Sequence, residues 1–312
     1  MEHFVTIFDQ SFIPQGLALH HSLSRFAGKF KLWVLSMDQE THDFIEQLSI
    51  KTLSPLLLSD YETDELRQAS RDRSLAEYCW TLTPFSIQWV FSQSTDISRV
   101  TYVDADVFFL SDPSPLFHEF DISGRSVLIT EHEYAPEHDQ TSLCGRYCVQ
   151  FLIVKRYSGA PVLNWWSERC LEWCYARFKD GYFGDQAYLI GFMVHFPELI
   201  FVLQGHGRLL APWNATYYRY SDAIMYHFHG LRIFSPKIIL ACKEILPFPV
   251  MTYVYSPYIR LLQQLIASHQ LNWIRPQMRL TLKWRLKLLL SRFVFSFRRL
   301  KYLPCPVFAS SV

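Results

Sequence analysis

The chain has 312 residues, of which 50 % are hydrophobic, 16 % aromatic and 19 % charged, and its formal net charge is +1. That length allows a large core in one big domain or two unequal ones, and the composition excludes a disordered chain. The near-zero charge hides an asymmetry: beyond Glu244 come ten Lys and Arg and no acid, so residues 1–245 carry −9 and the remainder +10. The break sets the expected boundary between a folded domain over 1–245 and a basic, aromatic-rich helical tail over 246–312.

"MEHFVTIFDQ" carries an acid at its second position and runs directly into a strand, so no secretory leader is expected. No run of about 18 uncharged apolar residues occurs, which removes a membrane-spanning helix from the expectations. The seven cysteines are odd in number and lack a framework spacing, so they read as reduced thiols of a cytoplasmic protein rather than disulfides or a zinc site.

In chain order, "HFVTIFD" and "FKLWVLSM" are predicted strands, separated by a helix through "IPQGLALHHSLSRFA" with Leu17, Leu19 and Leu23 apolar. "THDFIEQLS" is a second helix and "SPLLLSD" a strand or turn. The stretch 63–93 reads as one long helix interrupted at Pro84, and "RVTYVDADVFFL" as the next strand. "SVLITEHEY" and "CVQFLIVKR" follow as strands, then a helix through "APVLNWWSERCLEWCYARFKD". Such alternation predicts an α/β fold, a mixed sheet with helices on both faces, whose ligands sit beyond the carboxyl ends of the strands.

Asp104 and Asp106 stand at such an end, on one side of the chain with Ala105 opposite. Unpaired carboxylates in apolar surroundings are expensive, and two that converge suit a hard divalent cation such as Mg²⁺ or Mn²⁺. A capping or solvated turn pair is the competing interpretation, weakened by the strand before it and the "SDPSPLF" turn after it. "HFHG" at 227–230 follows a strand-like "AIMY" and places His227 and His229 on one side, so that either could complete a metal sphere. "GDQ" at 184–186 opens a helix, where a carboxylate also serves as a cap.

Taken in order, "FVTIFDQSFIPQGLALHHSL", "EYCWTLTP", "YVDAD", "GDQAYL", "APWN" and "HFHG" resemble the GT-A fold glycosyltransferases, specifically the glycogenin-like, retaining family eight and its bacterial relatives. The resemblance covers residues 4 to about 234 and makes 1–245 a nucleotide-sugar-binding catalytic domain. It implies Mn²⁺ (or Mg²⁺) held by Asp104, Asp106 and His227, with Asp104 also approaching the donor. Asp9 would help hold the nucleotide of a nucleotide-diphosphate sugar, and Asp185 and Gln186 would line the sugar and acceptor face as catalytic groups. The implied reaction moves a sugar from a UDP-sugar to a glycan or glycolipid acceptor with retention. Two departures stand out. Cys148 replaces a polar residue usual in the family, and the Lys-Pro-Trp that usually follows H-F-x-G is absent, leaving Arg232, with Lys237 behind it, to face the diphosphate. Arg71 and Arg73 are further candidates for that charge.

Two other functions stay open on the sequence. A phosphohydrolase of the haloacid-dehalogenase type also uses D-x-D after a strand, but needs a Thr-like residue where Phe108 stands. A nucleotide-sugar-binding module with weakened catalysis would fit Cys148 and the missing Lys.

The tail "QMRLTLKWRLKLLLSRFVFSFRRLK" puts Leu282, Leu286, Leu289, Phe293 and Leu300 on one stripe among Lys and Arg, the pattern of a helix lying on an anionic membrane surface. A helix packed on the acidic domain is the alternative; nucleic acid is not expected, because no nucleic-acid fold accompanies the charge. The expected location is therefore cytoplasmic, peripheral on the inner face of the membrane. Each basic residue near such a surface contributes about 1 kcal/mol, screened by salt. Removing residues from 277 onward is expected to abolish salt-sensitive co-sedimentation with phosphatidylserine vesicles; a full-length protein that ignores those vesicles at low salt would overturn the assignment.

Overall fold

The computed structural model describes residues 1–179, 181–235, 238–273 and 306–308. The chain starts with β1 (Glu2–Phe8), α1 (Ile13–Phe26), β2 (Phe30–Ser36), α2 (Gln39–Gln47) and β3 (Leu53–Leu57). Then come α3 (Asp64–Ser70), α4 (Leu75–Gln93), β4 (Arg99–Val103), β5 (Val107–Phe109) and α5 (Ser114–Ser123). The middle of the chain gives β6 (Val127–Glu131), α6 (Thr141–Cys144), β7 (Tyr147–Lys155), α7 (Ala160–Glu172), α8 (Leu189–His195) and β8 (Ile200–Leu203). Short strands β9 (Leu209–Leu210), β10 (Met225–His227), β11 (Arg232–Ser235) and β12 (Ile238–Leu240) precede one turn, α9 (Phe248–Val250), and the helix α10 (Ser256–Ser268).

Seven strands form one sheet in the order β3-β2-β1-β4-β7-β6-β8. The first four are parallel, and β7 runs antiparallel to both neighbours. Alternation along β1 splits the core: Phe4 and Phe8 face the side of α1 and α10, Val5 and Ile7 the side of α4 and α7. The mixed α/β sheet with helices on both faces is the architecture the sequence predicts. A second, small sheet, β5-β10-β9, leaves the carboxyl end of β4 and carries the site.

The helical stretch 63–93 differs from its prediction. It breaks at Arg71–Ser74, not at Pro84, which lies inside α4. Ser74 supplies the start signal: its Oγ accepts from the Glu77 amide at 3.3 Å and Glu77 Oε2 accepts from the Ser74 amide at 2.7 Å. Pro84 removes one helical hydrogen bond, and the buried Leu82, Ile87 and Val90 hold the flanking turns in place regardless. The predicted helix over 160–180 likewise ends early, at Glu172.

The core continues past residue 245. Val254, Tyr258, Ile259, Leu262 and Ile266 share one buried cluster with α1, and Tyr258 stacks on Phe228 with ring centroids 3.6 Å apart. The basic helix expected from about 277 lies outside the described residues. Among the described residues no helix is long and apolar enough to cross a membrane.

The Tyr258 hydroxyl is buried with no hydrogen-bond partner among the described residues. Tyr258→Phe is therefore expected to be neutral or mildly stabilising, since it removes an unsatisfied group while keeping the stack. Tyr258→Ala should cost about 3–5 kcal/mol in urea denaturation, the range for emptying an aromatic site in a core. Equal costs for the two variants would show that the hydroxyl is bonded.

Candidate active site

Strand β4 ends at Val103, and a tight turn follows in which the Val107 amide donates to the Asp104 carbonyl at 3.1 Å. The chain then enters β5, which pairs antiparallel with β10 and sets His227 opposite Val107. A further bond, from the Phe228 amide to the Asp106 carbonyl at 2.8 Å, clamps the two segments. These backbone bonds bring three side chains together. His227 Nε2 lies 3.1 Å from Asp106 Oδ1 and 3.6 Å from Asp104 Oδ2, and one ligand atom from each residue falls within 4.8 Å of the others.

The electrostatics follow from burial. His227 and Asp106 are enclosed, with side-chain exposures of 6 % and 13 %, whereas Asp104 keeps 29 %. Burial alone would push both carboxyls up, but His227 pulls Asp106 down to about 2. Asp104 stays raised, by burial against the offsetting pull of His227. For His227 burial opposes the charged form, and the neighbouring Asp106 more than restores it. A proton on His227 and a divalent cation are thus alternative ways of neutralising the same pair. Two carboxylates and one imidazole, converging at the open end of the sheet, form a donor set that suits Mn²⁺ or Mg²⁺.

Around this triad the remaining residues take distinct positions. The Tyr102 hydroxyl donates to Asp104 Oδ1 at 3.0 Å and fixes that carboxylate. Asp185 is 5 % exposed, and its carboxyl is pushed up to about 7 by burial and by the charge of Asp104. Gly184 before it has φ +58, and a side chain there would meet Trp80 at 3.2 Å, so the bend that presents Asp185 needs glycine. Gln186 donates its amide to the Cys144 carbonyl at 2.9 Å, tying the helix start to the α6 loop. Arg232 contributes positive charge that is felt by Asp106, His227 and His229. Asp9 closes the end of β1 and accepts from the Ser11 amide at 3.0 Å.

Other expectations resolve differently. Arg73 is not free for a diphosphate: its guanidinium donates to the carbonyls of Cys170 at 2.9 Å and Leu171 at 2.6 Å, closing the C-terminus of α7. Arg71 is exposed on the surface, and Lys237 lies outside the described residues. Within "APWN", Asn214 builds the turn, accepting from the Ala211 amide at 2.8 Å and donating to the carbonyls of His132 and Leu209. Its neighbour Trp213 packs edge-on against both His227 and His229. Phe108 packs against Tyr258, so no hydroxyl stands where the phosphohydrolase mechanism needs one. Sequence reasoning passed over Tyr102 and Gln150, two polar residues inside strands that otherwise read as apolar runs.

This sheet, with its appended β5-β10-β9 ribbon and an Asp-Ala-Asp turn at the junction, is the GT-A glycosyltransferase fold. The galactosyltransferase LgtC, solved with donor and acceptor sugar analogues, superposes with a TM-score of 0.52 at 12 % identity, over 91 % of this chain and 99 % of that one. The glycosyltransferase GlyE of Streptococcus pneumoniae TIGR4 gives 0.50 at 14 % identity, over 89 % of this chain and 66 % of that one. No protein-family model matches the chain. The uncharacterized protein YfnF of Bacillus subtilis (strain 168) is 31 % identical over 259 residues, covering 77 % of this chain and 85 % of YfnF. YfnD of the same organism is 28 % identical over 288 residues, covering 86 % and 91 %. The chain belongs to the family of YfnF.

The geometry separates the two histidines of "HFHG". If the triad holds a divalent cation, His227→Ala should weaken Mn²⁺ binding at least tenfold by calorimetry, while His229→Ala, outside the 4.8 Å cluster, should change it little. The reverse ranking would move the ligand by two residues.

Proposed function

We propose that the protein is a metal-dependent glycosyltransferase that moves a hexosyl group from a UDP-sugar to a glycan or glycolipid acceptor. The carrying observation is the convergence of Asp104, Asp106 and His227 at the carboxyl end of the sheet, where an α/β fold receives its ligand. Retention at the anomeric carbon is carried by the resemblance to family eight.

In this reading Asp104, Asp106 and His227 hold Mn²⁺ or Mg²⁺. When bound, the cation supplies Lewis-acid stabilisation of the diphosphate leaving group. The protein's own groups do the rest. Tyr102 keeps Asp104 oriented, and Arg232 adds a positive charge on the side of the leaving diphosphate. Asp9, beside the metal strand on β1, faces the nucleotide. Asp185 lies within electrostatic reach of Asp104, and its raised pKa leaves it able to donate or accept a hydrogen bond to a sugar hydroxyl near neutral pH. Gln186 holds the α6 loop against the same end of the sheet. The basic tail would keep the enzyme on anionic lipid, where a glycolipid acceptor is presented.

Thermal-shift measurements with UDP-glucose and UDP-galactose test this. A donor at about 100 times its dissociation constant stabilises the folded state by about 2.7 kcal/mol, which raises the midpoint of a chain of this length by roughly 4 °C. The rise should require Mn²⁺ or Mg²⁺ and should be lost in Asp104→Asn. Slow UDP release in the presence of metal is the expected sign of turnover. A donor-induced shift without UDP release would identify a binding module. No shift with any nucleotide-diphosphate sugar would refute the proposal.

A further inference from the structure

Gln150 lies at the centre of β7, 0 % exposed, in a strand whose other residues are almost all apolar. A primary amide in such a place loses its hydration and needs partners. Its main chain has one at the site: the Gln150 carbonyl accepts from the Asp104 amide at 3.3 Å. Its side chain reaches the opposite wall, with Oε1 3.0 Å from His227 Nδ1. The Nε2 group finds no partner among the described residues, so the contact to His227 is the one side-chain hydrogen bond that holds the amide in place.

We infer that Gln150 is a positioning residue for His227: its Oε1 accepts the Nδ1 proton, which leaves the Nε2 lone pair aimed between Asp104 and Asp106. The chemistry is one-directional. An amide oxygen only accepts, so the ring must carry its proton at Nδ1. The opposite amide orientation would require a lone pair on Nδ1 and put the proton on Nε2, which is the nitrogen 3.1 Å from Asp106. That proton would compete with a cation for the site. A ligating histidine that donates its other N–H to a fixed acceptor is both oriented and made more basic. Gln150 supplies this acceptor from the same residue whose backbone secures the start of the Asp-Ala-Asp turn, so one strand position sets both sides of the triad.

The inference rests on the metal site proposed above, and two variants separate the two. Mn²⁺ binding to Gln150→Leu, close in size but unable to accept, should fall roughly 10–100-fold, the usual effect of removing a partner of a ligating histidine. Gln150→Glu, whose carboxylate still accepts from Nδ1, should keep binding near the wild-type level, whereas a purely space-filling role would leave both variants near it. In the wild-type protein loaded with Mg²⁺, nitrogen NMR of the His227 ring should show an Nδ1 proton that exchanges slowly with solvent, because ligation at Nε2 places the proton on Nδ1 and the bond to Gln150 Oε1 protects it there. This measurement decides the point even if Gln150→Leu fails to fold. Wild-type protein that binds neither Mn²⁺ nor Mg²⁺ would overturn the metal site and the inference with it. Wild-type binding with an undiminished Gln150→Leu, a Gln150→Glu as weak as the leucine variant, or an Nδ1 proton in rapid exchange with solvent would overturn the inference alone.

Discussion

Two carboxylates at the edge of an apolar core are the constraint on which the rest of this structure depends. Removing one ion from water costs several kcal/mol even after relaxation, and two like charges within a few ångströms add repulsion to that cost. The fold answers with an imidazole that cannot move away. His227 is held by strand pairing, by the Phe228 amide on the Asp106 carbonyl, by Trp213 against its ring and by Gln150 at its far nitrogen. The opposing directions of the shifts, down for Asp106 and up for His227, express this mutual dependence.

The arrangement needs contacts between distant parts of the sequence. β5 follows the turn at once, but β10, which completes it, comes more than a hundred residues later. Phe108 on β5 and Phe228 after β10 both rest on Tyr258 of α10, so the helix beyond residue 245 forms the floor under the ribbon. The same helix packs on α1, which follows Asp9. Packing thus links α10 to Asp9 at the end of β1 and to the ribbon that carries the Asp104–Asp106–His227 cluster.

The sequence carried the strands, the first helices and the triad's members plainly, because two signals coincide there. Period-two alternation gives the faces, and acids that interrupt an apolar run stand out against it. What escaped has physical reasons. The helix break at residue 74 is written in a capping box, and Pro84 drew attention away from it although a single missing hydrogen bond does not end a well-buried helix. Arg73 reads as a phosphate ligand from its charge, while its actual partners are helix-end carbonyls, which leave no mark in the sequence. Gln150 matters through His227 on another strand, and such pairing is a property of register that one chain segment does not show, whereas Tyr102 bonds Asp104 only two residues further on. The charge break at residue 245 reports where acids stop; the hydrophobic pattern of 250–271 continues the core across it.

Cys148 lies among the same charges. It is 4 % exposed, and burial, with Asp104 and Asp185 nearby, holds its thiol well above the ordinary range and therefore neutral. A small, weakly polar group there contributes little of the dipolar screening that a more polar side chain would give. The interactions among Asp104, Asp185 and any cation then act through a drier medium, in which each charge is felt more strongly. Burial and the charge of Asp104 raise Asp185 to about 7, while His227 draws the buried Asp106 down to about 2. Two carboxyls within electrostatic reach of Asp104 are driven in opposite directions by what each one touches, one able to donate a proton in a hydrogen bond, the other held as an anion. Replacing a polar residue by cysteine at this position therefore does not by itself dismantle the site.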